Sequence, residues 1–297
     1  MKKTAAFLLA LLLLLTAGCG PAGESRPALE DVEQTKPGAF SCSFDGVKHR
    51  FLLELPEKAK GAPLIVMLPG YGNTAETMRL DTRFDADAVP RGYAVVYVTG
   101  APDPNTPTSS VGWNYEINET GNKDVQFLTA LAEYLQREYA LDADRAYAVG
   151  FSNGAFMIHR LAMEAGDTFT AFVSVAGTMP KSVWDSRRET NAVSFFQITG
   201  EKDPVVPKHA DGTARTAKSP AIEDVMAYWA ASNGLELQGS ESVGKASVLT
   251  RYAAGDRPQQ VWDLLVGDGR HSWPDERIHG FDVNALILDF FEAQKGD

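Results

Sequence analysis

The sequence predicts an α/β fold, with a mostly parallel central sheet and helices on both faces of that sheet. Short apolar runs rich in Val, Ile, Phe and Tyr alternate along the chain with amphipathic segments of helical period. The apolar runs are continuous, which is typical of parallel strands that are covered on both sides. Because helical segments join these runs, right-handed crossovers would make neighbouring strands parallel. The length of 297 residues suits one large domain of this kind.

The individual elements can be predicted in chain order. Asp45-Gly46 is a hairpin signal between two strand-like runs in residues 43–55. The buried strands that follow are expected at residues 63–68, 93–98, 145–149, 171–176, 193–199 and 260–266. The helices are expected at residues 75–88, 124–139, 155–162, 222–233 and 283–293. Several strands end at a glycine, and the carboxyl ends of strands form the binding crevice in open α/β sheets.

The beginning of the chain predicts an export signal and a tether. Two lysines precede an apolar run over residues 5–15, which is too short to span a membrane. Small residues then lead directly to Cys19, a pattern that resembles the lipoprotein signals of bacteria. We therefore predict a signal peptide over residues 1–18. A lipidated Cys19 and a flexible tether rich in Pro, Gly, Glu and Ser would follow over residues 19–40.

This N-terminus also predicts where the protein acts. The folded domain, residues 41–297, would be exported and would lie outside the cytoplasm, anchored to the bacterial cell envelope by the lipid on Cys19. An ordinary signal peptide with an incidental cysteine is the alternative. If Cys19 carries lipid, Cys42 is left without a partner for an intrachain disulfide.

Charge and motif content exclude several classes of partner. The chain has 39 acidic and 28 basic residues and a formal net charge of −11. Such an acidic balance argues against nucleic acid as a partner, because binding to phosphates requires positive charge. The sequence has no CxxC or HExxH motif, so it predicts no metal site.

The segment Gly150-Phe151-Ser152-Asn153-Gly154 carries the clearest chemical signal. It reads G-x-S-x-G and joins the predicted strand at 145–149 to the predicted helix at 155–162. A nucleophile elbow needs this context, with glycines where the turn is too tight for side chains. The helix N-terminus beneath the turn favours developing negative charge. Ser152 is therefore the predicted nucleophile.

A serine nucleophile needs a base and an acid that orients the base. In this architecture the acid and then the histidine follow the serine in the chain. His271 stands in a glycine-containing loop directly after the last predicted strand and is the predicted base, with His279 as the fallback. Asp203 follows the preceding strand, in a turn stiffened by a proline, and is the predicted acid. Glu201 is its rival.

Two backbone N–H groups are expected to hold the oxyanion. One belongs to Asn153, the residue after the nucleophile. The other should come from the glycine-rich loop after the first central strand, where Pro69 has no N–H to donate. Tyr71 is the predicted donor, and Gly70 and Gly72 are the alternatives.

Aromatic residues near two strand ends are candidates for the substrate pocket. Trp113, Asn114 and Tyr115 lie on a long loop and could wall an acyl or aryl pocket. Trp273 lies two residues after the predicted base and could form the floor of the pocket. Packing within the loops is the alternative for both groups.

Several sequence blocks carry a family resemblance. The blocks are Leu68-Pro69-Gly70-Tyr71-Gly72, Gly112-Trp113-Asn114, Asp124-Val125-Gln126-Phe127, Gly150-Phe151-Ser152-Asn153-Gly154-Ala155, Asp203-Pro204-Val205-Val206-Pro207, Tyr228-Trp229-Ala230 and His271-Ser272-Trp273-Pro274. Together they resemble the esterase group that includes polyhydroxybutyrate depolymerases, feruloyl esterases and acetylxylan esterases. The resemblance implies an α/β-hydrolase fold and ester hydrolysis by Ser152, Asp203 and His271 without a cofactor. The family often has His where this chain has Pro69.

The resemblance also implies substrates. The expected function is that of a serine carboxylic-ester hydrolase acting on feruloyl or acetyl esters of polysaccharides, or on hydroxyalkanoate oligoesters. Polymer-degrading members usually add a linker and a binding module that are not evident here, which argues against crystalline polyester. A serine peptidase of the same fold and an inactive hydrolase fold used as an envelope binding protein are the alternatives.

Overall fold

A large sheet runs through the part of the chain that the computed structural model describes, which is residues 28–103, 110–117, 123–188, 192–206 and 219–294. Its strands are β1 (Glu30–Lys36), β2 (Ala39–Phe44), β3 (Val47–Glu54), β4 (Leu64–Leu68), β5 (Ala94–Thr99), β8 (Ala146–Phe151), β9 (Ala171–Val175), β10 (Ser194–Gly200), β11 (Glu236–Val243), β12 (Ser247–Ala253) and β13 (Gln260–Val266). A short pair, β6 (Ala101–Pro102) and β7 (Val111–Gly112), forms a second sheet. The helices are α1 (Ala75–Thr82), α2 (Phe84–Ala88), α3 (Asp124–Glu138), α4 (Asn153–Glu164), α5 (Lys181–Asp185), α6 (Ile222–Asn233), α7 (Glu276–His279) and α8 (Val283–Glu292).

The strand order explains the predicted fold class. Across the sheet the order is β1-β2-β3-β5-β4-β8-β9-β10-β13-β12-β11. The six central strands, from β5 to β13 in this order, pair in parallel, and the outer strands at both ends pair antiparallel. The predicted α/β fold with a mostly parallel centre is therefore confirmed.

Helices cover both faces of the sheet. Apolar side chains of α3, α4 and α6 pack on one face, and those of α1, α2 and α8 pack on the other. The central strands β4, β5, β9 and β10 are buried at every residue. This two-sided burial is the reason why their sequences are mostly apolar.

The expected helix over residues 75–88 is divided in two. Arg83 lies between α1 and α2 with φ 48°, in the left-handed region, and its N–H donates to the Arg79 carbonyl oxygen over 2.8 Å. A left-handed residue ends one helix and turns the chain before the next. The periodicity of the apolar residues does not reveal such a break.

The predicted tether over residues 19–40 is wrong at its C-terminal end. Residues 30–36 form β1, and β2 begins at Ala39. The side chains of β1 are mostly exposed, and it is held by backbone pairing to β2. A polar edge strand lacks the apolar alternation that predicts strands. Cys19 and the predicted signal peptide lie outside the described residues.

The antiparallel hairpin β11–β12 was not predicted, since β11 is almost wholly exposed.

The length and hydropathy of the described helices show whether one of them could span a membrane. In the ranges given above, none is both long and apolar enough to cross a bilayer.

Candidate active site

The turn between β8 and α4 holds Ser152 in a rare conformation. Its φ is 52° and its ψ is −113°, outside the regions that residues other than glycine usually adopt. The Ser152 N–H donates to the Val175 carbonyl oxygen over 3.0 Å and ties the turn to β9. A Cβ at Gly150 would overlap the backbone of Gly154, and one at Gly154 would overlap that of Leu68. The sequence-predicted elbow therefore has the required geometry, and its glycines are sterically necessary.

A chain of hydrogen bonds joins the three residues that the sequence singled out. Ser152 Oγ lies 2.8 Å from His271 Nε2, and His271 Nδ1 lies 2.9 Å from Asp203 Oδ2. The Asp203 side chain is fully buried, while that of His271 is 20% exposed. A carboxylate that accepts from Nδ1 leaves Nε2 free to accept the serine proton. This arrangement can activate a serine hydroxyl.

The Asp203 turn directs its carboxylate. Oδ1 accepts hydrogen bonds from the N–H groups of Val205 at 2.7 Å and Val206 at 2.9 Å, and Oδ2 faces His271. Aspartate favours such turns because its side chain can accept from the backbone two residues on. The rival Glu201 lies on the same turn but accepts instead from the Asp268 N–H over 3.1 Å.

The fallback base, His279, packs against another aromatic side chain. His279 ends the short helix α7, is 6% exposed, and its ring lies 6.2 Å from that of Phe281. His271 instead packs its ring 5.4 Å from Phe151, the residue before the serine. Of the two histidines, the structure therefore brings His271 to the elbow.

The loop after β4 lies against the elbow and presents backbone donors. A Cβ at Gly70 would come within 3.3 Å of Ser152 Cβ, so the two segments are in close contact. The Gly72 N–H already donates to the Val111 carbonyl oxygen over 2.8 Å, which removes Gly72 from the candidate donors. Asn153 is the first residue of α4, and such an N–H has no acceptor within its own helix. Tyr71 and Gly70 remain candidates together with Asn153.

The predicted pocket residue Trp113 is buried and serves the packing of the loop. It is 4% exposed, and its Nε1 donates to the Pro69 carbonyl oxygen over 3.0 Å. Asn114 uses its N–H to reach Asp124 Oδ2 over 2.7 Å. Tyr115 is half-buried and meets the ring of Phe156 edge-on, with 5.1 Å between the ring centroids. These contacts favour the packing alternative for Trp113.

Trp273 has a mixed environment. Its Nε1 donates to Asn284 Oδ1 over 3.1 Å, and its ring meets that of Phe151 edge-on with 6.5 Å between centroids. It is half-buried. Trp273 therefore supports the loop that carries His271 while keeping some exposed surface.

Two buried charges hold the loop around Asn114, and sequence reasoning assigned neither a role. Arg160 Nη1 donates to the carbonyl oxygens of Asn114 and Glu116, each over 2.8 Å, and its Nε pairs with Glu164 at 2.9 Å. Asp124 is 1% exposed, and burial raises its pKa to about 6, opposed by the Asn114 N–H and by Arg160. An arginine and an aspartate inside otherwise apolar helix faces are the signal that could have found them.

The described residues offer no metal site, since no three His, Cys, Asp or Glu side chains converge there with suitable geometry.

Comparison with known proteins identifies the family. The model of the prolyl oligopeptidase family matches residues 88–204. The protein "Putative esterase NocK" of Nocardia uniformis subsp. tsuyamanensis is 30% identical over 242 aligned positions, and the match covers 74% of this chain and 67% of that protein. The chain belongs to the α/β-hydrolase esterases. This chain is accordingly a carboxylic ester hydrolase.

Further relatives and solved structures are consistent with this assignment. Feruloyl esterase B of Neurospora crassa is 28% identical to this chain over 133 aligned positions, and the match covers 43% of this chain and 44% of that protein. The structure of an acetyl xylan esterase from Aspergillus awamori has a TM-score of 0.60 at 12% identity, covering 82% of this chain and 94% of that one. A Bacillus cereus carboxylesterase has a TM-score of 0.51 at 14% identity, with 83% and 95% covered. At such identities these structures show the fold alone.

Proposed function

We propose that the esterase cleaves carboxylic esters with Ser152 as nucleophile, His271 as general base and Asp203 as the acid that orients the base. The observation that carries this proposal is the pair of contacts at 2.8 Å and 2.9 Å that links the three side chains. Burial of Asp203 supports it further, because a desolvated carboxylate stabilises the imidazolium that forms on His271.

Acylation would proceed in two steps. Ser152 Oγ attacks the ester carbonyl carbon and its proton passes to His271 Nε2. The carbonyl oxygen becomes an oxyanion that accepts hydrogen bonds from the N–H groups of Asn153 and Tyr71. When the intermediate collapses, the C–O bond to the alcohol breaks and the alcohol oxygen takes the proton from His271. The acyl group stays on Ser152.

Deacylation would repeat this sequence with water. Water gives a proton to His271 Nε2 and its oxygen attacks the acyl carbon of the acyl-enzyme. The second oxyanion uses the same two N–H donors. Collapse breaks the bond to Ser152 Oγ, which recovers the proton from His271, and the carboxylic acid leaves.

The proposed substrates are feruloyl or acetyl esters on polysaccharides and hydroxyalkanoate oligoesters. The name of one relative, a feruloyl esterase, supports the feruloyl esters of the first class. The rings of Tyr71, which is 47% exposed, and of the half-buried Tyr115 support an aryl or sugar-bearing ester. Methyl ferulate, acetylated xylan and hydroxybutyrate oligomers form the panel that ranks these classes by kcat/KM.

The experiment that tests the nucleophile is hydrolysis of p-nitrophenyl acetate by the wild type and by Ser152→Ala. We expect the variant to lose more than about 10⁴-fold in kcat. Ser240→Ala is the matched control, because Ser240 lies on the edge strand β11 with its hydroxyl against Thr250. Equal rates for wild type and Ser152→Ala, or a wild type that a fluorophosphonate probe does not label, would contradict the proposal.

A serine peptidase is the second candidate, and the prolyl oligopeptidase family match over residues 88–204 favours it. The same nucleophile and base would then cleave a peptide bond, with the amine taking the proton from His271. Prolyl peptide anilides measured beside p-nitrophenyl acetate discriminate between the two. Peptide turnover with a higher kcat/KM than every ester in the panel would favour the peptidase.

Export and lipid anchoring are the remaining part of the proposal. Support comes from the two lysines, the apolar run and the small residues that precede Cys19. We expect metabolic labelling with palmitate to label the wild type and to fail in Cys19→Ser. Cys42→Ser is the matched control, since Cys42 is a buried cysteine of β2. Undiminished labelling of Cys19→Ser would contradict lipidation.

A further inference from the structure

The short segment around Gly112 and Trp113 lies between the two stretches of backbone that carry the proposed oxyanion donors. On one side, the Trp113 indole donates to the Pro69 carbonyl oxygen over 3.0 Å, and the Val111 carbonyl oxygen accepts from the Gly72 N–H over 2.8 Å. These two bonds enclose the Tyr71 peptide. The donor loop after β4 is therefore fixed to this segment at both ends.

On the other side, the same segment is fixed to the elbow. The Trp113 N–H donates to Asn153 Oδ1 over 2.8 Å, and Asn153 Nδ2 donates weakly to the Trp113 carbonyl oxygen over 3.4 Å. Asn153 is 7% exposed, so these bonds are made away from water. Trp113 therefore connects the loop of one donor with the residue that supplies the other.

Space in this segment is limited. A Cβ at Gly112 would lie 2.9 Å from Tyr71 Cδ2 and 3.3 Å from Asn153 Oδ1. The Tyr71 ring and the Asn153 side chain thus leave no room for a side chain at Gly112. Close packing of this kind transmits a displacement from one side of the segment to the other.

The far end of the segment is anchored as well. The N–H of Asn114 reaches the buried carboxylate of Asp124, and its carbonyl oxygen accepts from Arg160. Through its neighbour Asn114, Trp113 is therefore anchored to α3 and α4 independently of its contacts with the loop after β4.

We propose that Trp113 and the side chain of Asn153 are positioning residues that set the separation between the Asn153 and Tyr71 N–H groups. This inference rests on the proposed function. Oxyanion donors act only when they lie about 2.7–3.1 Å from the oxygen that develops charge, and small errors in placement strongly reduce the rate. Trp113 therefore affects catalysis through the backbone of two other residues.

Two substitutions test the inference. Trp113→Phe removes the indole donor to the Pro69 carbonyl oxygen, and Asn153→Ala removes the acceptor of the Trp113 N–H while keeping the Asn153 main-chain N–H. With p-nitrophenyl acetate, we expect each variant to lose about 10–100-fold in kcat, with KM within about threefold of the wild type. Rates are referred to active sites counted by fluorophosphonate titration, so that unfolded protein does not contribute.

A matched control separates this effect from the general loss of a tryptophan. Trp262 also donates its indole N–H, to Gln260 Oε1 over 2.7 Å. Its ring, however, packs against Phe196 and Phe290, on the opposite face of the sheet from Trp113. We expect Trp262→Phe to keep kcat within about twofold of the wild type, although its free energy of unfolding changes.

A trifluoromethyl ketone gives a readout that a merely structural role would not move. Ser152 Oγ adds to its carbonyl carbon, the serine proton passes to His271, and the ketone oxygen becomes an oxyanion in the proposed donor pair. We expect its inhibition constant to rise in Trp113→Phe and Asn153→Ala by the same factor by which kcat/KM falls. Inhibition by the product alcohol, which forms no oxyanion, should stay within about threefold.

The outcomes are distinguishable from failure of the proposed function. If the wild type hydrolyses esters and Ser152→Ala does not, but both positioning variants keep kcat within twofold, the inference is overturned. It is also overturned if kcat falls while ketone affinity is unchanged. Should Trp113→Phe not fold, Asn153→Ala decides alone. If Ser152→Ala is as active as the wild type, the proposed function itself fails.

Discussion

The backbone N–H of Lys202 donates a 2.8 Å hydrogen bond to the carbonyl oxygen of Gly269. This bond joins the turn that carries Asp203 to the loop that carries His271. The side chain of Lys202 also pairs with Asp268 on that loop. The proposed acid and base are thus connected by backbone contacts as well as by their own hydrogen bond.

The first prediction concerns the identity of the acid. We expect Asp203→Asn to lower kcat by about 10⁴-fold with little change in KM. An amide Oδ1 can still accept from the Val205 and Val206 N–H groups, but its Nδ2 would donate to His271 Nδ1. That donation favours the wrong tautomer of the imidazole, with the proton on Nε2. Steady-state kinetics with p-nitrophenyl acetate measure the loss.

Glu201→Gln is the matched control for this prediction. Glu201 lies two residues away on the same turn, and the amide can still accept from the Asp268 N–H. We expect its kcat to remain within about threefold of the wild type. A larger loss in Glu201→Gln than in Asp203→Asn would assign the orienting role to Glu201.

The second prediction concerns Gly154, the last glycine of the elbow. A Cβ at Gly154 would overlap the backbone of Leu68 and lie 2.7 Å from the Pro69 carbonyl oxygen. We expect Gly154→Ala to lower the free energy of unfolding by about 1–3 kcal/mol or more and to reduce kcat. Gly255→Ala is the control, because nothing lies within 4 Å of its Cβ position. Comparable stability of the two variants in urea would be inconsistent with this account.

The third prediction concerns Asp124 and pH. Burial raises its pKa from 3.8 to about 6, so between these values the folded protein holds a proton that the unfolded chain has lost. The contribution of Asp124 to stability therefore falls as pH rises through this window. Asp124→Asn removes the titration and keeps an acceptor for the Asn114 N–H.

The measured quantity is the difference in the free energy of unfolding, variant minus wild type. We expect it to rise between pH 4 and pH 6, by about 3 kcal/mol at most. Urea unfolding at four or more pH values measures it. A difference that is constant with pH would show that Asp124 titrates alike in the folded and unfolded states.

The fourth prediction has the opposite sign and concerns His159. Burial lowers its pKa from 6.5 to about 3, so below pH 6.5 the unfolded chain takes up a proton that the folded protein does not. Its contribution to stability is present above pH 6.5 and is lost as pH falls. In His159→Phe the new ring would pack against Phe195. Between pH 6 and pH 4, we expect this variant to lower the slope of the free energy of unfolding against pH by up to about 1.4 kcal/mol per pH unit.

His49 offers a second case with the same sign. Burial lowers its pKa to about 4, and its ring stacks on Phe127 with 3.6 Å between centroids. His49→Phe should therefore flatten the same part of the pH–stability curve. Slopes equal to the wild type in both variants would contradict the assignment of buried, neutral histidines.

The centre of the sheet could be predicted because burial on both faces leaves a plain signature in the residues. The strand Gln260–Val266 and the helix Ile222–Asn233 have the predicted bounds. The positions of Ser152, Asp203 and His271 at strand ends followed from chain order, since parallel strands bring their carboxyl ends to one edge.

The rest depends on contacts that the linear sequence does not reveal. β1 and β11 are edge strands held mainly by backbone pairing, so their side chains carry no apolar pattern. The direction of the Trp113 indole is decided by the Pro69 carbonyl oxygen, 44 residues earlier in the chain. A tryptophan on a loop has the same appearance in sequence whether it meets substrate or backbone.

The strands that lead to Ser152 and His271 are separated in the sheet by β9 and β10, and the two residues lie 119 positions apart in the chain. Their contact cannot form by local closure, because the intervening strands set the spacing between them. The proposed triad therefore needs β8, β9, β10 and β13 all to be in place. A chain halted after β9 would hold Ser152 in its turn without His271 beside it, and would therefore lack the proposed base.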